Sequence, residues 1–236
     1  MAHIAKIELK SKLFVFVAPF LILFFALLIH QYGSEAQTYD CTNCGSGDKD
    51  SEIYARLFGV EQIGEWLQFV FYLMAGLIGI MSWRLLKKKH GKEKILLSLF
   101  FISCLFLAFE EISWGQHIFK WEVPAIFQEI NLQKETNLHN TKGINLHILF
   151  MFVGFFGGAS WILKNFRKNC FLDLLCPDWQ YASYFFPVFF FYFYFDFVRP
   201  HFYIIGNHQE LFEFILSCGF LLIASSNYRK IANFPA

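Results

Sequence analysis

Six blocks of this sequence, at 13–29, 63–83, 95–119, 144–163, 181–205 and 211–225, are dominated by Phe, Leu and Ile. Most of them approach or exceed the ~20 residues an α-helix needs to cross ~30 Å of hydrocarbon. In a bilayer the chain must satisfy its own backbone N–H and C=O groups, so only helices or closed barrels span it. None of the blocks alternates apolar and polar residues as a membrane β-strand does. The expected class is all-α: an integral membrane bundle of about six transmembrane helices, forming a single polytopic domain over residues 1–236. Composition agrees, since 33 Phe in 236 residues far exceeds what a soluble domain carries.

The formal net charge of +1 gives no reason to expect a nucleic-acid partner. How the charge is distributed says more. With six crossings, 14 of the 20 Lys and Arg fall on one side, including Arg84, Lys87, Lys88, Lys89, Lys92 and Lys94 in a single connection. Of the 19 acidic residues, 15 fall on the other side. Basic residues collect in the cytoplasm, so both termini are expected there, with a bacterial inner membrane as the location. The first block has a second reading. Its basic start, its apolar core and Ser34-Glu35-Ala36 also suit a cleaved signal peptide, which would leave five helices.

The stretch 110–140 stands out against this background. Glu110 and Glu111 interrupt an apolar run that resumes at Ile112, and charge inside hydrocarbon is expensive enough to be functional or paired. Pro124 is expected to open a helix lying across the extracytoplasmic face, making 124–140 an interfacial or re-entrant segment. From Asn131 onward polar residues nearly alternate. An extended backbone would aim Asn131, Gln133, Glu135, Asn137 and His139 one way, with Asn140 beside them. The structural alternative is a capped, hydrated loop.

On the same side lie Glu61, Glu65, Gln68 and Tyr72, which share one helical face. His117, His147, Asp196, Arg199, His201, His208, Glu210 and Glu213 lie there too. Several of these also suit ordinary roles: helix-start carboxylates, a structural Asp196–Arg199 pair, packing histidines. Taken together they suggest one water-accessible cavity on which Glu110 or Glu111, Glu135 or His139, and Asp196 or Glu213 converge. The candidate proton-transfer residues are Glu110, Glu111, His139 and His208. The candidate substrate contacts are Gln116, Asn131, Gln133, Glu135, Asn137, Asn140 and Arg199. Amides suit sugar or phosphoester oxygens, and a guanidinium suits an anionic head group.

No metal motif such as HExxH or paired CxxC is present. A divalent metal held between helices by Glu111, His139, Asp196, Glu210 or Glu213 remains an open alternative. Cys41 and Cys44 are expected outside, as a local disulfide.

The sequence EEISWGQ at 110–116, followed by NLQKETNLHN at 131–140, resembles a group of bacterial polytopic membrane proteins without an assigned activity. A glutamate opening an apolar helix (Glu65) and an acidic pair before Ser-Trp are also similar to the alkaline ceramidase-like membrane hydrolases. That family uses a membrane-embedded zinc and an HxxxH pair. The chain has no HxxxH, so no zinc ligands carry over. The functional expectation is a hydrolase or transferase acting on a lipid or lipid-linked substrate. The alternatives are a proton- or cation-coupled transporter and a non-catalytic membrane assembly subunit. The bilayer is the one partner the sequence specifies, and it points to no particular protein partner.

Overall fold

The structure is a computed structural model. It describes residues 2–32, 52–58, 63–86, 90–131, 134–138, 140–143, 145–166, 169–198 and 208–233. Among these, every regular element is helical. In order they are α1 (Ala2–Tyr32), α2 (Glu52–Phe58), α3 (Ile63–Leu85), α4 (Gly91–Glu111), α5 (Gln116–Phe119), α6 (Ala125–Ile130), α7 (His147–Ala159), α8 (Leu163–Phe166), α9 (Cys170–Leu175), α10 (Phe186–Phe193) and α11 (Gln209–Ala232).

Among the described residues three spans are long and apolar enough to cross a membrane: Glu8–Gln31, α3 within Arg56–Leu85, and Gln209–Ala232. A fourth exists if α4 and the bent segment Ser113–Phe119 count as one crossing. The segments His147–Ile162 and Phe186–Val198 are apolar but shorter. Lipid-facing character is plain on α1, where Phe14, Phe20, Phe24, Phe25 and Leu27 are all exposed.

Glycines set the helix packing. Cβ atoms built at Gly76 and Gly79 of α3 would fall 2.8 Å from Leu105 and Phe101 of α4, so these antiparallel helices approach closely at those two positions. Gly154, Gly157 and Gly158 of α7 do the same against Phe185, Phe186 and Phe189. Small residues at such contacts let helices approach where lipid supplies no hydrophobic drive. α11 runs parallel to α3, with Gln68 beside Glu210 and Tyr72 beside Phe220. It runs antiparallel to α10, with Phe191 stacked on Phe212 at 4.2 Å and Phe185 against Gly219. The main core joins Met151, Phe185, Val188, Leu211, Ile215 and Leu216.

These directions place the start of α3, the end of α4, the start of α7 and the start of α11 together. At the opposite end Asp178 binds Lys164 at 2.6 Å and Lys230 at 3.0 Å. Burial there works against the charge of Asp178, but the two lysines outweigh it and hold its carboxyl below the usual range.

The sequence reading of 95–119 as one helix needs correction. α4 ends at Glu111, and the chain turns by 64° into Ser113–Phe119. The described residues after Asn131 also depart from the extended run that would aim their side chains one way. Lys134 has φ +58, and Asn131 pairs with Thr141 in an isolated bridge, so this stretch closes as a loop. Pro124 does precede a helix, the short α6.

Candidate functional site

The site begins with a backbone break. Ser113, Trp114 and Gly115 have φ +46, +56 and +98, three left-handed residues in succession. For the two that are not glycine this costs about 1–2 kcal/mol each, so something must hold them. A buried polar cluster does so. Ser113 Oγ donates to Glu135 Oε2 at 2.6 Å, and Asn137 Nδ2 donates to the same carboxylate at 2.8 Å and to Ser113 Oγ at 3.1 Å. Asn131 Nδ2 donates to Asn137 Oδ1 at 2.7 Å, while the Glu135 N–H donates to Asn131 Oδ1 at 3.1 Å. The Thr136 N–H donates to Gln116 Oε1 at 2.8 Å. Glu110 completes the clamp: it accepts from the Leu138 N–H at 2.7 Å and from Trp114 Nε1. The loop of 131–141 is thereby pinned over the end of α4.

This cluster assigns parts that the sequence left open. Asn131, Glu135 and Asn137 spend polar groups on one another and on Ser113, Gln116 Oε1 is taken by the Thr136 N–H, and Glu110 gives one oxygen to the Leu138 N–H and the other to Trp114. Ser113, His117 and Glu135 resemble a nucleophile triad by composition only. His117 Nε2 faces both Ser113 Oγ, at 3.0 Å, and Glu135 Oε2, at 3.4 Å. A relay needs the two ring nitrogens to face different partners. Because the Ser113 proton goes to Glu135, His117 Nε2 is the donor toward Ser113.

Glu111 is placed differently. It makes no hydrogen bond among the described residues and faces a cavity of about 70 Å³ lined by Glu65, Trp66, Glu111, Ile112, His117 and Lys120. Glu213, Glu210, Glu65 and Glu110 lie within its electrostatic reach. Behind it Gln68 Nε2 donates to Glu210 Oε2 at 3.0 Å, and Glu213 accepts from Tyr192 Oη and, at 2.9 Å, from Gln209 Nε2. Gln68 Oε1 is buried and has no hydrogen-bond partner among the described residues. Like charges gathered at one place in low dielectric need protons, cations or water.

Of the residues expected to converge on one cavity, Glu111 lines it together with Glu65, while Glu213 and Glu210 lie within electrostatic reach of Glu111 but not in the lining. Glu135 sits beside this group, within electrostatic reach of Glu210. Asp196 stands apart, bound to His147 Nδ1 at 2.8 Å, with the His147 ring against Tyr192 at 4.8 Å. His208 is also elsewhere: its Nδ1 lies 2.6 Å from Tyr54 Oη, and its ring meets His30 edge-on at 4.9 Å. Burial first, and His30 second, push its pKa down to about 4. Asn140 lies half-buried in the turn that closes the loop. Gln133, His139, Arg199, Glu61, His201, Cys41 and Cys44 lie outside the described residues. Among the described residues, no three of the proposed metal ligands bring donor atoms within 4.8 Å of one another.

Sequence reasoning missed Ser113 as the hub of the clamp, Lys120 at the cavity, and Tyr192. Nothing distinguishes Tyr192 within a Phe-rich run. Ser113 did carry a signal, a small polar residue two positions after an acidic pair. Comparison with protein-family models, with curated proteins and with solved structures finds no match for this chain. What the fold and the site define is an all-helical protein with three to four membrane-length helices and a carboxylate-lined cavity at one end.

Proposed function

We propose that the chain is a bacterial inner-membrane protein with six crossings and both termini in the cytoplasm. Its site would carry out hydrolysis or group transfer on a lipid or lipid-linked substrate at the extracytoplasmic face. The observation that carries this reading is the division of labour between adjacent glutamates: Glu110 accepts hydrogen bonds on both oxygens, whereas Glu111 faces a cavity and makes no hydrogen bond among the described residues. A carboxylate placed this way acts as general base toward a water or hydroxyl. The cavity, about 70 Å³, has room for water beside Glu111. Lys120 at its edge offers a cation to an anionic head group. Ile63, Trp66, Ile118, Phe119 and Trp121 around it are exposed apolar surface, as the rest of a lipid requires. Fifth and third crossings are supported by the helical run from Trp179 to Val198 and by the bent pair α4–α5.

The test is conversion of a bacterial lipid extract by the full chain in vesicles, followed by mass spectrometry. Wild type should form a product, and Glu111→Gln, inserted at equal yield, should be slower by about 10²–10⁴-fold. Equal conversion by the two, or none by either, removes the enzyme reading.

The unpartnered Gln68 Oε1 favours a second reading, a proton- or cation-coupled carrier, since it extends polar groups inward from the cavity. Against that, Ala75, Cys104, Ala224, Phe100 and Phe220 close the bundle beyond Tyr72. A pH-gradient-driven flux in vesicles that Glu111→Gln abolishes would favour the carrier.

A further inference from the structure

At the opposite end of the bundle from Glu111, three side chains meet that the proposed reaction does not use. His90 precedes α4 and makes no side-chain cap to it, and Glu93 lies in the first turn of the same helix. Their spacing puts both on one side, with His90 Nδ1 3.8 Å from Glu93 Oε2. Cys170 opens α9, and its position is fixed by the Asn169 cap, whose Oδ1 accepts from the Leu172 N–H at 2.8 Å. One donor atom from each of His90, Glu93 and Cys170 lies within 4.8 Å of the other two.

We propose that His90, Glu93 and Cys170 form a zinc site that ties the start of α4 to α9. Tetrahedral zinc, with bonds of about 2.0–2.3 Å, brings its ligand atoms to about 3.3–3.7 Å from one another. Side-chain rotation of about 1 Å closes the difference. A set of imidazole, carboxylate and thiolate selects zinc over the oxygen-seeking magnesium and calcium. The thiolate and the carboxylate together neutralise the dication. All three residues are half-buried, which leaves the fourth position to water. Beneath them Leu86, Leu97, Leu174 and Ile231 form a small core against which Cys170 packs, so the ligands stand on an ordered floor. Lys94, one residue from Glu93, is drawn over the Trp83 ring at 4.7 Å. The site owes nothing to the lipid-enzyme reading and survives its failure.

The test uses the full chain in detergent, stripped of metal and titrated with cobalt(II). One equivalent should produce a thiolate-to-cobalt charge-transfer band with tetrahedral d–d absorption, and zinc should displace it. Cys170→Ser should lose the band, His90→Ala and Glu93→Gln should weaken binding by at least about tenfold, and Cys176→Ser should bind as wild type does. Because Cys170→Ser can misfold, alkylation of wild-type Cys170 is followed by mass spectrometry with and without zinc, and zinc should slow it. No charge-transfer band in wild type, equal binding by wild type and all three ligand variants, or no protection of Cys170 overturns the site.

Discussion

The Glu110 carboxylate accepts a hydrogen bond from the backbone N–H of Leu138 at 2.7 Å, joining the end of α4 to a loop residue 28 positions further on. Its other oxygen takes the Trp114 indole N–H. Glu110→Ala removes both and leaves two donors unpaired, at roughly 1–3 kcal/mol each. Hydrogen exchange at 134–138 should accelerate and the midpoint of thermal unfolding in detergent should fall. Glu111→Ala should change neither, because Glu111 bonds to nothing described.

Lys134 is exposed and sits at φ +58. An L-residue there costs about 1–2 kcal/mol, and glycine adopts the conformation at a flexibility cost of about 0.5–1 kcal/mol. Lys134→Gly should therefore stabilise the chain by up to about 1 kcal/mol. Lys134→Val should destabilise it. Thermal unfolding of the two variants in one detergent checks the sign.

A Cβ at Gly154 would lie 2.7 Å from the Phe189 backbone nitrogen, which cannot swing aside. Gly154→Ala should cost about 1–3 kcal/mol by forcing α7 and α10 apart. Gly91 has nothing within 4 Å of its ideal Cβ. Gly91→Ala should be neutral or stabilising by about 0.5–1 kcal/mol, so the pair separates a packing requirement from a general intolerance of alanine.

His208 gives a pH dependence with a definite sign. Its folded pKa, near 4, lies below the ordinary 6.5, so between these values the unfolded chain holds more protons. Stability must then rise with pH across this window and fall as pH drops through it. The contact of His208 with Tyr54 and His30 should loosen first. Unfolding midpoints measured from pH 7 to pH 4 should decline, and His208→Gln should flatten the decline.

The helix positions were legible because hydrocarbon admits few solutions: apolar length alone placed α1, α3 and α11. The break after Glu111 was not, because Ile112, Ile118 and Phe119 continue the apolar pattern while Ser113 and Trp114 take left-handed φ values that only the surrounding hydrogen bonds sustain. The carboxylates that gather were readable from helical spacing, as with Glu210 and Glu213. Which of Glu110 and Glu111 faces the cavity was not, since adjacent residues differ by about 100° in direction and only the packing fixes the zero. Asn131 and Asn137 read as ligand groups and turned out to bind each other. A loop's self-satisfaction depends on its closure, which the spacing does not encode.

An extracytoplasmic site requires the Glu111 cavity to open on the outer side of the membrane. Lys120 lines it and Lys92 lies near the opposite end of the bundle, both exposed. Lys120→Cys and Lys92→Cys, each treated on intact cells with a membrane-impermeant thiol reagent and compared with wild type, measure this directly. Labelling of Lys120→Cys from outside, with Lys92→Cys reached only after permeabilisation, is the predicted result. The reverse pattern, or equal labelling of the two from outside, contradicts an extracytoplasmic site.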